Sequence, residues 1–169
     1  MTGRFVSKDA EEPRPIVPTW GPSTAFGIPF HVIAPRGGAM PNVIELYGPG
    51  GAVSKAMPKS VTVPCNGAAK AIHLLSGIGG WSWPGGKKGT TSMIVRLHYA
   101  DGKTEDHPLL NGVQMADYIR EVDVPESKLA FKLRGQQVRV VPGFSVRWAR
   151  GCRLSTVHGG CLARVVSRS

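Results

Sequence analysis

The stretch Ser92 to Leu109, S-M-I-V-R-L-H-Y-A-D-G-K-T-E-D-H-P-L, decides the fold class. Met93, Val95, Leu97 and Tyr99 alternate with Ile94, Arg96 and His98, the two-residue period of a strand with two distinct faces. Asp101-Gly102 interrupts the run and suits a tight turn that needs positive φ. The polar return strand, Lys103 to His107, ends at Pro108, because proline cannot donate to a ladder. With a two-residue loop, His98 pairs with Glu105 and Arg96 with His107; a bulged turn shifts that register by one. One apolar strand beside one polar strand predicts a sheet with a core face and a wet face.

Further strands follow outward from this hairpin. Ile28–Ile33 is a first strand, with Pro29 favouring a sheet edge. Asn42–Tyr47, Lys59–Pro64 and Ala71–Leu75 precede the hairpin, and Leu129–Leu133 and Gln136–Val141 follow it. Leu110 to Asp117 is a connection with room for a short turn of helix. The 22 Gly and 14 Pro in 169 residues exceed what a helical protein carries, and no long amphipathic helix is apparent. About eight short strands joined by turns predict an all-β, antiparallel, jelly-roll-like sandwich.

Composition divides the chain into three parts. Residues 1–24 are polar and rich in proline and read as a linker into the domain. Residues 25–141 form the sandwich. Residues 142–169 read as a basic tail, open to disorder. The formal charge of +10 is concentrated toward the C-terminal end: residues 1–127 hold 12 Lys/Arg against 11 Asp/Glu, and residues 128–169 hold 9 basic residues and no acid. Such a segment can meet nucleic acid or an anionic surface, but it lacks the interleaved aromatics of single-strand binders, so nucleic acid is not the favoured partner. No run approaches the roughly 18 apolar residues of a membrane span, and Met1 to Ala10 has no apolar signal-peptide core. Taken literally, the chain is cytoplasmic; as a piece of an exported parent it is extracellular. Cys65, Cys152 and Cys161 make neither a disulfide framework nor a haem-attachment motif, although a Cys152–Cys161 bridge is open in an oxidising compartment.

Several motifs together resemble a known family: Gly27-Ile28-Pro29-Phe30, Val61-Thr62-Val63-Pro64-Cys65-Asn66, Ala69 to Gly77, Val95 to Gly102, and Leu110-Asn111-Gly112 followed by Ala116-Asp117-Tyr118. Over roughly residues 25–139 the chain resembles the jelly-roll modules of the galactose-binding-like, NPCBM-like kind. These are abundant in planctomycete proteins and often appended to larger exported ones, including haem-containing dehydrogenase-like proteins. The resemblance implies a non-catalytic module whose target is carbohydrate or another extracellular ligand, and it transfers no catalytic motif. After Arg139 the pattern departs. Relatives continue with a strand like Tyr-Leu-Ala-Val and two apolar closing strands, whereas Val140 to Phe144 lead here into an Arg/Cys/Gly/Ser-rich segment. Codons for Val-Pro-Gly-Phe can be read as Tyr-Leu-Ala-Phe in a shifted frame. Residues 140–169 are therefore read as frameshift-derived, leaving a sandwich short of its final strands with an exposed edge.

The loop Gly77 to Gly89 carries Trp81 and Trp83, two apart and so on one side of an extended backbone. Flat aromatics on a loop stack on sugar rings while nearby polar groups fix the hydroxyls. The expected ligand site is Trp81, Trp83 and Lys88, with His98 and Glu105 as further polar contacts; packing of both tryptophans on the sandwich rim is the competing reading. Lys87-Lys88 lack the pattern of a phosphate loop. His73, His98 and His107 with Glu105 and Asp106 lack the spacing of a metal site, and Cys152, His158 and Cys161 fit no standard finger. Asp106-His107 stands near no serine or cysteine in a nucleophile-elbow context. No cofactor, metal or catalytic residue is expected. A structural module docking onto a neighbouring domain is the main alternative function.

Overall fold

The computed structural model describes residues 6–7, 16–17, 19–34, 42–50, 54–67, 71–80, 82–133, 135–145, 149–156 and 160–168. In chain order the strands are β1 (Val6–Ser7), β2 (Ile16–Val17), β3 (Gly21–Ala25), β4 (Ile28–Val32), β5 (Ile44–Glu45), β6 (Ser60–Gly67), β7 (Ala71–Gly79), β8 (Thr91–Tyr99), β9 (Thr104–Leu110), β10 (Lys128–Leu133), β11 (Gln136–Ser145), β12 (Ala149–Thr156) and β13 (Gly160–Arg168). Two antiparallel sheets carry the fold, ordered β10-β11-β7-β13-β5 and β6-β12-β8-β9. Leaving aside the edge strand β10, the eight remaining strands interleave as two Greek keys. This is a jelly roll. Among the described residues no helix is long and apolar enough to cross a membrane.

Alternation builds the core. Ile72, Leu74 and Ile78 of β7 meet Met93, Val95 and Leu97 of β8, with Leu109 and Val141, all fully or nearly fully buried between the sheets. Leu75 faces the other way and joins Val138, Val140 and Phe30 beneath the β3–β4 hairpin. The five-stranded sheet is thus covered on both faces, which explains why β7 reads as a near-continuous apolar run.

The β8–β9 hairpin forms where expected, one residue out of the two-residue-loop register. Tyr99 N–H donates to the Lys103 carbonyl at 2.9 Å and Gly102 has φ 85°. Ala100–Gly102 is therefore a three-residue loop ending in the left-handed region, a turn that carries a bulge. Arg96 then lies opposite Asp106, Leu97 opposite Glu105 and His98 opposite Thr104. The expected His98–Glu105 and Arg96–His107 pairs are not made. Strand β9 also continues through Pro108 to Leu110. It is an edge strand, where a missing N–H is harmless. Pro64 sits on the other edge of the same sheet, in β6.

The chain differs from its compositional divisions at both ends. Pairing begins inside the expected linker: Gly21–Ala25 forms a hairpin with Ile28–Val32, and Trp20 packs on Val32 and Val43. At the other end β11 does not stop at Val141. A register shift between Val141 and Phe144 absorbs Pro142-Gly143, and pairing with β7 resumes at Phe144. The following residues supply β12, between β6 and β8, and β13, between β7 and β5. The backbone described for this basic segment lies in interior strands, so the jelly roll has its closing strands. Leu110–Asp117 holds no helix; Val113, Gln114 and Met115 N–H groups all turn back to the Leu110 carbonyl.

The β3–β4 turn is strained. Phe26 and Gly27 both have positive φ, 54° and 72°, as a two-residue type I′ turn requires. A phenylalanine there costs about 1–2 kcal/mol. Its ring is 55 % exposed, and the Lys128 ammonium 5.3 Å from the ring centroid returns only about 0.5–1 kcal/mol. Phe26→Asn, which tolerates this conformation, is expected to raise the thermal midpoint by about 2–4 °C. An unchanged or lower midpoint in a melting experiment would show that Phe26 stabilises the turn.

Candidate ligand-binding loop

The segment from Ser82 to Thr90 joins β7 to β8 at one end of the sandwich, and Asn111 holds it. Buried Asn111 accepts from the Trp83 N–H through Oδ1 at 2.8 Å and donates through Nδ2 to the Lys87 carbonyl at 2.9 Å. Its backbone carbonyl accepts from Gly89 and its N–H donates to Thr90. Within the loop, the Ser82 carbonyl accepts from both Gly85 and Gly86. One side chain thus fixes the loop at both ends of its turn. Its neighbour Gly112 has φ 71°, and a Cβ there would stand 2.9 Å from Trp83 Cδ2 and 3.0 Å from Lys88 Cγ. Only glycine lets the Trp83 ring lie this close to the backbone.

Trp83 is half-buried, with a cis peptide to Pro84. Lys88 is exposed, and its ammonium lies 5.6 Å from the Trp83 ring centroid. The expected pair of Trp83 and Lys88 is therefore brought together. Trp81 lies outside the described residues.

His98 and Glu105 are not part of this group. They lie at the hairpin end of β8 and β9, separated from Lys88 by the length of β8, about 23 Å from Thr91 to His98 at ~3.3 Å per residue. Glu105 accepts from the Tyr99 hydroxyl at 2.6 Å, and its other oxygen lies 3.4 Å from His107 Nε2. Arg96 donates to both carboxylate oxygens of Asp106, at 2.6 and 2.7 Å. Those hydrogen bonds and the opposite charge hold the Asp106 carboxyl below its ordinary range and push the Arg96 guanidinium up. Both groups are exposed, so the pair orders the sheet surface and stabilises the fold little.

Behind the Trp83 loop lies Asp117, 1 % exposed. Its N–H donates to the Trp83 carbonyl, and its Oδ1 accepts from Ile119 N–H at 3.0 Å. Burial pushes its carboxyl above the ordinary carboxylate range, against the smaller opposing effects of the Ile119 N–H, Arg120 and the Ser82 N–H. Burial likewise raises the Tyr118 phenol, assisted by Asp117 and Glu45. Gln137 Nε2 donates to the carbonyls of Asp117 and Arg120. Arg139 donates to Val122 and Ser127. These two β11 side chains clamp the connection that backs the loop.

Trp83 and Lys88 are legible as site candidates in the local sequence, whereas Asn111, Gly112, Asp117, Gln137 and Arg139 enter only through the fold. The Asn-Gly pair was the available signal, since it marks a backbone position needing positive φ. Among the described residues no three His, Cys, Asp or Glu side chains come together as a metal site. Cys152 and Cys161 fall on different sheets, in β12 and β13. No family model matches the chain, and neither the curated proteins nor the solved structures give a match.

Proposed function

We propose that the chain is a non-catalytic binding or accessory module that takes carbohydrate at the Trp83 loop. The supporting observation is a half-exposed tryptophan on a backbone pinned by Asn111, with the Lys88 ammonium over its ring. A tryptophan face stacks on the apolar side of a sugar ring, and an ammonium donates to its hydroxyls. Lys88 is exposed, so it swings off the ring at little cost. A loop ordered in advance loses little entropy on binding. The resemblance to galactose-binding-like, NPCBM-like modules supports the same reading.

The test is a polysaccharide and glycan screen on the purified chain beside Trp83→Ala and Lys88→Ala. Binding should fall at least about tenfold in Trp83→Ala, the loss of roughly 1.4 kcal/mol, with the far-ultraviolet circular dichroism unchanged. It should also persist as salt rises, because stacking on a neutral sugar is not screened; steep salt dependence would favour a polyanion such as nucleic acid. A folded wild-type chain that binds no glycan would favour the second reading, a module docked on a neighbouring domain. That reading is supported by Phe26 and Ile119, large apolar residues 55 % and 54 % exposed.

A further inference from the structure

Asp117 and Ser82 are buried together behind the Trp83 loop, and the reading above uses neither side chain. Asp117 Oδ2 and Ser82 Oγ are both inaccessible, and neither has a hydrogen-bond partner among the described residues. Asp117 is also the junction of three elements. Its N–H holds the Trp83 carbonyl, its carbonyl accepts from Gln137 of β11, and its backbone bridges Ile78 of β7. A neutral carboxyl in this position is tolerable. A carboxylate with one oxygen undonated is costly, because a buried charge needs partners on every lone pair.

We propose that Asp117 is an acid-set latch, holding the Trp83 loop closed on the sandwich end while its carboxyl is protonated and loosening it on ionisation. The charged neighbour acting on the carboxyl among the described residues is Arg120, on its own segment. Tyr118 stands between Asp117 and Glu45 of β5. The Trp83 loop presents the uncharged Ser82, β7 presents Ile78, and β11 presents the uncharged Gln137. Burial outweighs the Ile119 N–H, Arg120 and the Ser82 N–H together, so the closed state holds the proton above the ordinary carboxylate range. The sign follows. The closed loop is most stable below the ordinary carboxylate value and loses stability as pH rises through the raised one.

The bearing on ligand capture rests on the carbohydrate reading; the test uses no ligand, so the two fail separately. Amide hydrogen exchange is followed by NMR from about pH 4 to pH 8. Gly85, Gly86 and Asp117 report the loop, and Tyr99, bonded to Lys103 at the opposite end, is the control. Protection at the loop amides, corrected for intrinsic exchange, should fall by up to tenfold per pH unit within the window, the limit for one proton. It should be flat in Asp117→Asn, which keeps the Oδ1 acceptor. A flat wild-type profile, an equal fall at Tyr99, or an unchanged slope in Asp117→Asn would overturn the latch. If that variant does not fold, the Asp117 carboxyl-carbon titration in the wild type must share its midpoint with the loss of protection, and a mismatch overturns it equally.

Discussion

A chain ended at Ser145 is expected to lose cooperative folding altogether. Strand β12 pairs with β8 over seven register positions and with β6 on its other side. Strand β13 pairs with β7 over nine positions, from Gly160 opposite Gly79 to Arg168 opposite Ala71. Removing both splits each sheet. β6 is cut off from β8, and β5 from β7, so Val61, Val63 and Ile44 lose the scaffold that packs them on the main core. At roughly 0.5–1.5 kcal/mol per net hydrogen bond, the lost ladders alone rival the ~5–15 kcal/mol stability of a domain. Near-ultraviolet circular dichroism and a denaturant titration decide the matter. A sharp transition in the shortened chain would restore the reading of residues 142–169 as an appended tail. It would also favour the proposal that they come from a shifted frame, since a segment out of frame has no reason to fill two interior positions.

Arg139→Ala should cost about 3–5 kcal/mol, the range for stripping one partner from a buried ionic network. Arg139 is 3 % exposed. It donates to Ser127 Oγ at 2.8 Å, the Ser127 carbonyl at 2.9 Å, the Val122 carbonyl at 3.0 Å and Gln137 Oε1 at 3.3 Å. Burial lowers its pKa, but an arginine remains charged across any working pH. Asp123 lies 3.5 Å away with its side chain 98 % exposed, so water screens that attraction and the carbonyls carry most of the contact. Alanine would take this donor from two backbone carbonyls, a hydroxyl and the Gln137 amide oxygen. Arg139→Lys should recover little, because one ammonium cannot reproduce a planar fork that reaches Ser127 and Val122 at once. A shift in the urea midpoint worth less than about 1 kcal/mol would show that the Val122–Ser127 connection holds itself.

Much of the architecture is legible in the sequence because strands with one buried face must alternate. The hairpin and β6 follow from that period, the first half of β7 is legible as a continuous apolar run, and β10 and the beginning of β11 as short runs on either side of Arg134-Gly135. Register is less legible, because Ala100-Asp101-Gly102 and a two-residue loop differ by one position and the residue types permit both. The closing strands were hidden by composition. Arginine and glycine in Arg150-Gly151-Cys152-Arg153 argue for a solvated segment, while the ladder uses only backbone groups that every residue but proline supplies in full. The candidate site divides similarly. Trp83 and Lys88 are close in sequence and meet in space. His98 follows soon after in sequence, but a strand carries it to the opposite end. Asn111 and Asp117 reach the loop from another segment, and no local pattern announces them.

The pairing of β5 with β13 joins Ile44 to Ala163 and Glu45 to Leu162, which bears on the order in which the molecule is made. During synthesis β5 to β9 emerge well before β12 and β13, so each sheet has a vacant lane down its middle until the last strands leave the ribosome. The nascent chain therefore carries unpaired edges on β7 and β8 through most of translation. Such edges are templates for pairing with other chains, and contacts this distant in sequence form slowly. Yield in a host should depend on chaperone supply and temperature during expression more steeply than the stability of the finished sandwich suggests.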